Sequence, residues 1–276
     1  MVKHIFLDVD GTLCDYQHQV PESAKTAIKL TRAKGNQVYL CTGRSAKQIG
    51  PDLMSLGIDG VVGGDGSYVE YENKIIVHHP LQLMAVQQII AWLNAHDLTF
   101  CLETNQGVFA HPDFAHKAQP AFQKYFHGDQ KTDQQVVVTD LFHDLTFTTD
   151  LERDDVNRLT FILSEQADFQ QARQKFPDLL VESWGGKAKD PLFASFGVFG
   201  VNKAHGAQEL VEYLNIDPKT TIAVGDGRND LDLFSYVDQA IAMGNSNPEV
   251  KERADYITAD VTDDGLYQAF EKYNLI

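Results

Sequence analysis

Apolar and polar positions divide the 276-residue chain into three stretches. In the first, Ile5-Phe6-Leu7 is a short apolar run ending in Asp8-Val9-Asp10-Gly11-Thr12, the pattern of a buried strand with an acidic tip. From Pro21 to Lys34 apolar residues recur at Ala24, Ala27, Ile28 and Leu30, and Gly35 follows. This predicts a helix with Pro21 in its first turn. Gln37–Cys41 predicts a second strand, ending in Thr42-Gly43-Arg44. Ala46–Leu56 predicts a helix stopped by Gly57, and Ile58–Val62 a third strand. Strand, helix, strand, helix, strand with short turns implies a parallel sheet.

The middle of the chain has another texture. Leu83–Ala95 predicts a helix with an apolar stripe at Met84, Val86, Ile89, Ile90 and Leu93. Strands are expected at Thr99–Leu102, Val108–Ala110 and Leu159–Leu163, and helices at Pro112–Phe126 and Ala167–Lys175. Trp92 and Phe126 are expected in the core of this part. Gly128–Val138 is polar and rich in Gln and Asp, and Gly185–Pro191 has linker chemistry. The first rhythm then returns with a helix at Asn202–Leu214 and a strand at Thr221–Val224, which ends in Gly225-Asp226-Gly227-Arg228-Asn229-Asp230. A helix at Leu231–Tyr236, strands at Gln239–Met243 and Tyr256–Thr258 and a helix around Pro248–Ala254 complete the pattern. The expected organisation is one α/β core built from residues 1–82 and 188–276, with a second α/β domain inserted at 83–187.

Composition changes this picture little, but charge constrains it. Hydrophobic residues make up 43% and charged residues 22%, ordinary for a globular protein. No apolar run reaches the roughly 20 residues that span a bilayer, and an acid at position 8 comes too early for a secretory leader, so a cytoplasmic location is expected. Three cysteines (Cys14, Cys41 and Cys101) with no CxxC pair argue against a disulfide framework or a zinc-thiolate site. The net charge of −16 opposes binding to nucleic acid or to an anionic membrane. It would equally repel a phosphate ester, so an anionic substrate requires local positive charge from a metal and a few placed Lys or Arg residues.

Both acidic clusters, Asp8-x-Asp10 and Asp226-x-x-Asn229-Asp230, end predicted strands, as does Thr42-Gly43-Arg44. Ligands of open parallel sheets bind beyond the carboxyl ends of the strands, so the three tips are expected at one edge. Converging carboxylates need a cation, and oxygen-rich sites suit Mg²⁺. Beside such an ion one Asp could attack phosphorus. A second carboxyl two residues on could protonate the leaving oxygen and later take a proton from water. Blander readings stand beside these. Asp8 and Asp10 could form a turn, Thr42 or Asp230 could cap a helix, and Lys203, Arg44 and Arg228 could be solvated.

Asp8-Val9-Asp10-Gly11-Thr12-Leu13, Thr42-Gly43-Arg44, Lys203 and Gly225-Asp226-Gly227-Arg228-Asn229-Asp230 resemble, in order, the four motifs of the haloacid-dehalogenase superfamily. The tail resembles its Cof-type branch in Ala242-Met243-Gly244-Asn245-Ser246, Val250-Lys251, Ala254-Asp255-Tyr256-Ile257-Thr258 and Asp264-Gly265. The resemblance covers both chain ends. It implies a Rossmann-like parallel-sheet core with an inserted α/β cap, and a Mg²⁺-dependent phosphatase acting on a small phosphorylated metabolite such as a sugar phosphate.

By the same resemblance Asp8 is the nucleophile that forms an aspartyl-phosphate, and Asp10 is the acid/base whose carbonyl helps hold the metal. Thr42, Gly43, Arg44 and Asn229 contact phosphate, Asn229 alternatively the metal shell. Lys203 neutralises the phosphoryl group and Asp8. Asp226 ligates the metal, with Asp230 in the same metal group and orienting metal waters or Lys203. The second Asp, Asp10, argues against dehalogenase chemistry. A phosphomutase is the enzymatic alternative, and a metabolite-binding protein the non-enzymatic one. The sequence departs from the family pattern at Ala204, where Gly usually follows the lysine. It departs again at Ala194–Gly200, which lacks an acidic residue often found there, and at Gly64-Asp65-Gly66, where Asn-Gly is common. Substrate choice is expected to lie in the cap, with Glu103, Asn105 and Gln106 as candidates; oligomeric state is not legible.

Overall fold

A computed structural model describes the chain except for Tyr16, residues 129–135, Leu141, His143, Gly186, Lys187 and the side chain of Asp140. The chain divides into two units, one comprising residues 1–44, 49–78 and 201–276, the other residues 45–48 and 79–200.

The first unit begins with strand β1 (His4–Leu7), helix α1 (Glu22–Ala33), β2 (Gln37–Cys41), a short α2 (Pro51–Met54) and β3 (Gly60–Gly63). Ile5, Phe6 and Leu7 are wholly buried, as an apolar run between two covered sheet faces requires. Helix α1 buries Ala24, Ala27, Ile28 and Thr31, one stripe of an amphipathic helix, and Pro21 stands at its cap rather than in its first turn. The single helix expected at 46–56 is absent. A 3₁₀ turn at Ala46–Gln48 and α2 replace it, because Pro51 lacks an amide hydrogen and holds Gly50 extended. A hairpin follows, β4 (Tyr68–Tyr71) and β5 (Lys74–His78), turned through Glu72 and Asn73 at φ 50° and 60°. Both central residues are left-handed, as a two-residue hairpin turn needs.

The second unit contains α3 (Leu83–Ala95), β6 (Phe100–Thr104), β7 (Gly107–Ala110), α4 (Phe114–His127), β8 (Leu145–Phe147), β9 (Val156–Ile162), α5 (Gln166–Lys175), β10 (Leu179–Trp184) and β11 (Phe193–Val198). Its six strands run in the order β10-β11-β9-β6-β7-β8. Leu102, Leu159, Phe161 and Phe196 join Val86, Ile89 and Leu93 of α3 in one apolar cluster, with Trp92 packed against it, whereas Met84 of the expected stripe is exposed. Cys101, Val108, Ala110 and Phe193 meet α4 in another, with Phe126 against it. The expected return to the core at residue 188 is corrected by β11, which pairs antiparallel with β9 and β10 and extends the second unit to Gly200. Gly185–Pro191 is thus a loop between paired strands, although Gly186 and Lys187 lie outside the described residues, as do residues 129–135 of the polar stretch.

The first unit resumes with α6 (Lys203–Tyr213), β12 (Thr221–Gly225), α7 (Leu231–Tyr236), β13 (Gln239–Ala242), α8 (Pro248–Glu252), β14 (Tyr256–Ile257) and α9 (Gly265–Lys272). Its eight-stranded sheet has the order β14-β13-β12-β1-β2-β3-β4-β5, parallel from β14 to β3 and antiparallel across the hairpin. The fold is therefore α/β with a parallel central sheet. Cys14, Cys41 and Cys101 are free and buried. Among the described residues no helix is long and apolar enough to cross a membrane.

Phe196 stacks on Phe161 in the second unit's core, ring centroids 5.3 Å apart. Phe196→Ala is expected to cost about 3–5 kcal/mol in urea unfolding; a loss below about 1 kcal/mol would show that the ring is not packed as described.

Candidate active site

The parallel register sets three strand ends side by side. Leu7 of β1 lies opposite Leu40 of β2 and Val224 of β12, so Asp8, Thr42 and Asp226 leave the same edge of the sheet. Main-chain bonds carry the order past the strands: the Asp8 amide donates to the Val224 carbonyl at 3.0 Å and the Thr42 amide to the Val62 carbonyl at 2.9 Å.

Lys203, the first residue of α6, joins two of these tips. Its Nζ donates to Asp8 Oδ1 and to Asp230 Oδ1, each at 2.6 Å, and its side chain is fully buried. A cation at a helix N-terminus opposes the helix dipole, and burial lowers its pKa. The carboxylates of Asp230 and Asp8 outweigh both effects and hold its pKa well above the ordinary lysine value. Asp230 Oδ2 accepts the Asp226 and Gly227 amides at 3.0 and 2.9 Å. Both Asp230 oxygens are therefore engaged, one fixing the lysine and one shaping the turn that carries Asp226. Burial, reinforced by Asp230 and Asp226, pushes the Asp8 carboxyl well above its usual range, and Lys203 opposes the shift.

Residues without an assigned role in the sequence reading hold Asp226. Thr12 Oγ1 donates to Asp226 Oδ1 at 3.1 Å, and Asn245 Nδ2 donates to Asp226 Oδ2 at 3.2 Å and to the Gly11 carbonyl at 2.8 Å. Thr12 and Asn245 stand inside the motif segments, so position was their only signal. Gly11 takes φ +90°, and a Cβ there would collide with the Asp226 carboxylate, so the first and last acidic clusters touch only because residue 11 has no side chain.

Asp10 and Arg44, expected to contact substrate, face each other. Arg44 Nε donates to Asp10 Oδ2 at 2.9 Å, its Nη2 bonds Oδ1, and His18 Nδ1 lies 3.3 Å from Oδ1. Burial would raise the Asp10 carboxyl, but the bonds from His18 and Arg44 hold it below the ordinary carboxylate range. Thr42 is buried, with its Oγ1 accepting the Arg44 amide at 3.2 Å, and Gly43 lies in the turn between them. Asn229 is exposed and donates through Nδ2 to Asp65 Oδ1 at 2.9 Å.

In the second unit Glu103 is buried with both oxygens bound to Arg158, and Thr160 Oγ1 donates to Oε1 at 2.7 Å. Asn105 Oδ1 accepts from Asn157 Nδ2 and from the Ala46 amide. Glu103 is thus committed to internal bonds, whereas Asn105 is held through Oδ1 alone and its buried Nδ2 has no hydrogen-bond partner among the described residues. The Gln106 amide donates to Thr104 Oγ1 in the same turn.

The donor set fits a divalent cation. Carboxylate oxygens of Asp8, Asp226 and Asp230 lie within 4.8 Å of one another. One ammonium against three carboxylates leaves two negative charges, which an oxygen-preferring divalent ion such as Mg²⁺ would balance.

A family model described as haloacid dehalogenase-like hydrolase matches residues 5–270. The chain belongs to that family. Among haloacid dehalogenase-like relatives, the protein named "Putative phosphatase YkrA" of Bacillus subtilis (strain 168) is 31% identical over 277 residues, covering 99% of this chain and 98% of that one. A solved structure of a protein from Geobacillus kaustophilus HTA426 superposes with TM-score 0.83 at 25% identity, all of both chains covered. The HAD subclass IIB sugar phosphatase BT4131 superposes with TM-score 0.80 at 23% identity over all of both chains, a likeness of fold. The chain is an enzyme of this superfamily, and its four motif segments lie together in the first unit.

Lys203→Met would leave Asp8 and Asp230 buried without their cation. A loss of about 3–5 kcal/mol in metal-free urea unfolding is expected, and an unchanged midpoint would deny the lysine its role as counter-charge.

Proposed function

We propose that this hydrolase is a Mg²⁺-dependent phosphatase of small phosphorylated metabolites, sugar phosphates among them, working through a phosphorylated Asp8. The observation that carries the reading is the buried Lys203 bridge between Asp8 and Asp230, with Asp226 in the same oxygen cluster. The names of phosphatase relatives support the class, and the sugar phosphatase of like fold supports the substrate type.

With Oδ1 held by Lys203, Asp8 offers Oδ2 to phosphorus. That oxygen forms a P–O bond as the ester P–O bond breaks, and the leaving oxygen takes a proton from Asp10. Asp10 then removes a proton from water, whose oxygen attacks phosphorus, and the bond to Asp8 breaks to release phosphate. Asp10 must leave Arg44 to carry that proton, and Arg44 is then placed to meet the anionic substrate. Thr42, the Gly43 amide and Lys203 hold the phosphoryl oxygens. Asp8, Asp226 and the Asp10 carbonyl would hold Mg²⁺, while Asp230 acts through Lys203 and the Asp226 turn. The ion supplies the remaining positive charge, since phosphoryl transfer depends mainly on positioning and neutralisation. An acidic surface of −16 makes these local cations necessary.

Asp8→Asn should lower phosphate release from p-nitrophenyl phosphate by roughly 10³-fold or more while the circular-dichroism spectrum stays native. Full activity in that variant removes Asp8 as nucleophile. Native activity should vanish in EDTA and return with excess Mg²⁺; activity indifferent to both would remove the metal from the reading.

A further inference from the structure

The loop Gly64-Asp65-Gly66, where the chain departs from the branch's usual Asn-Gly, reaches three of the four motif segments. The Asp65 amide donates to the Thr42 carbonyl at 3.0 Å and the Gly64 amide to the Arg44 carbonyl at 2.8 Å, which fastens the loop to the second motif. Gly66, at φ +93°, lies so close to the Asn202 carbonyl that a Cβ would collide with it, which sets the loop against the residue before Lys203. Asp65 itself is left-handed at φ 52°, ψ 41°, a conformation that Asp tolerates better than most residues. From this anchored backbone its carboxylate reaches the fourth motif, accepting Asn229 Nδ2 at 2.9 Å.

A carboxylate can only accept, so Asp65 permits one orientation of the Asn229 amide, with nitrogen toward Asp65. Asn229 Oδ1 then lies over Gly227, where a Cβ on that glycine would come within 2.5 Å of it. An asparagine at position 65 could pair with either end of the amide, so it would still hold Asn229 in place but in either orientation.

We infer that Asp65 is a positioning residue, fixing Asn229 so that its oxygen faces the Gly225–Gly227 turn beside Asp226. There Asn229 accepts from water held at the acidic cluster, and the phosphoryl oxygens are left to Thr42, Gly43 and Lys203. This inference rests on the phosphatase reading.

The test is a double-mutant cycle on p-nitrophenyl phosphate hydrolysis with Mg²⁺, using Asp65→Gly, Asn229→Ala and the double variant, with rates scaled to the folded fraction. Glycine accepts the left-handed backbone, so Asp65→Gly should melt near the native temperature. It should lose about tenfold in kcat with KM within about twofold, the size of one hydrogen bond to a charged group. Asp65→Gly should add nothing further in the Asn229→Ala background. Asp65→Asn, which keeps the backbone and one acceptor, should recover to within about threefold of the native kcat. A native kcat in Asp65→Gly, losses that multiply with Asn229→Ala, or an Asp65→Asn protein as slow as Asp65→Gly would each overturn the inference. Asp8→Asn separates the two possible failures. Activity surviving there strikes the phosphatase reading, whereas an inactive Asp8→Asn beside a full-rate Asp65→Gly strikes only the role of Asp65.

Discussion

Three carboxylates drawn together around one buried ammonium define what the rest of the first unit must accomplish. Removing Lys203, Asp8 and Asp230 from water costs several kcal/mol per ion, and only close, well-aligned pairing offsets it. The two 2.6 Å bonds of Lys203 provide that pairing. They demand that β1, β12 and the start of α6 be placed to within a fraction of an ångström. The register of a parallel sheet gives such precision to the strand tips. The turn after β12 is held by Asp230, which serves the lysine and the backbone at once.

Around this centre the neutral polar groups act as spacers. Thr12 and Asn245 hold Asp226 without adding charge, and the missing side chain at Gly11 lets the two acidic segments meet. Arg44 and His18 engage Asp10 at the rim, where the carboxylate keeps 45% of its side-chain surface exposed. The charges on Lys203, Asp8 and Asp230 are thus buried, while Asp10 at the rim stays partly exposed to water.

Much of this was legible in the chain. Apolar runs marked β1, β2 and β12, and the acids directly after β1 and β12 marked the candidate site, because period and position carry that signal locally. The hairpin β4–β5, strand β8, the pair β10 and β11 and helix α9 escaped. The strands Leu179–Trp184 and Phe193–Val198 pair across a loop of linker-like composition, so their place depends on partners that no local pattern names. The break at Gly50-Pro51 was visible as residues but was outweighed by the apolar spacing around it. Within the site, side-chain exchange was invisible: the pairing of Arg44 with Asp10, of Asp65 with Asn229 and of Glu103 with Arg158 depends on three-dimensional proximity.

The first strand has both of its neighbours far apart in the chain, with His4 beside Gln37 on one side and Thr221 on the other. On the ribosome, Asp8 therefore emerges long before Lys203 and Asp226 exist. A nascent or prematurely ended chain carries Asp8 with neither counter-charge nor turn beside it, and its apolar first strand lacks one flank. Synthesis past β12 supplies the second flank of β1 together with Asp226 and Asp230, so late closure of a long-range pairing is built into the folding order of this polypeptide.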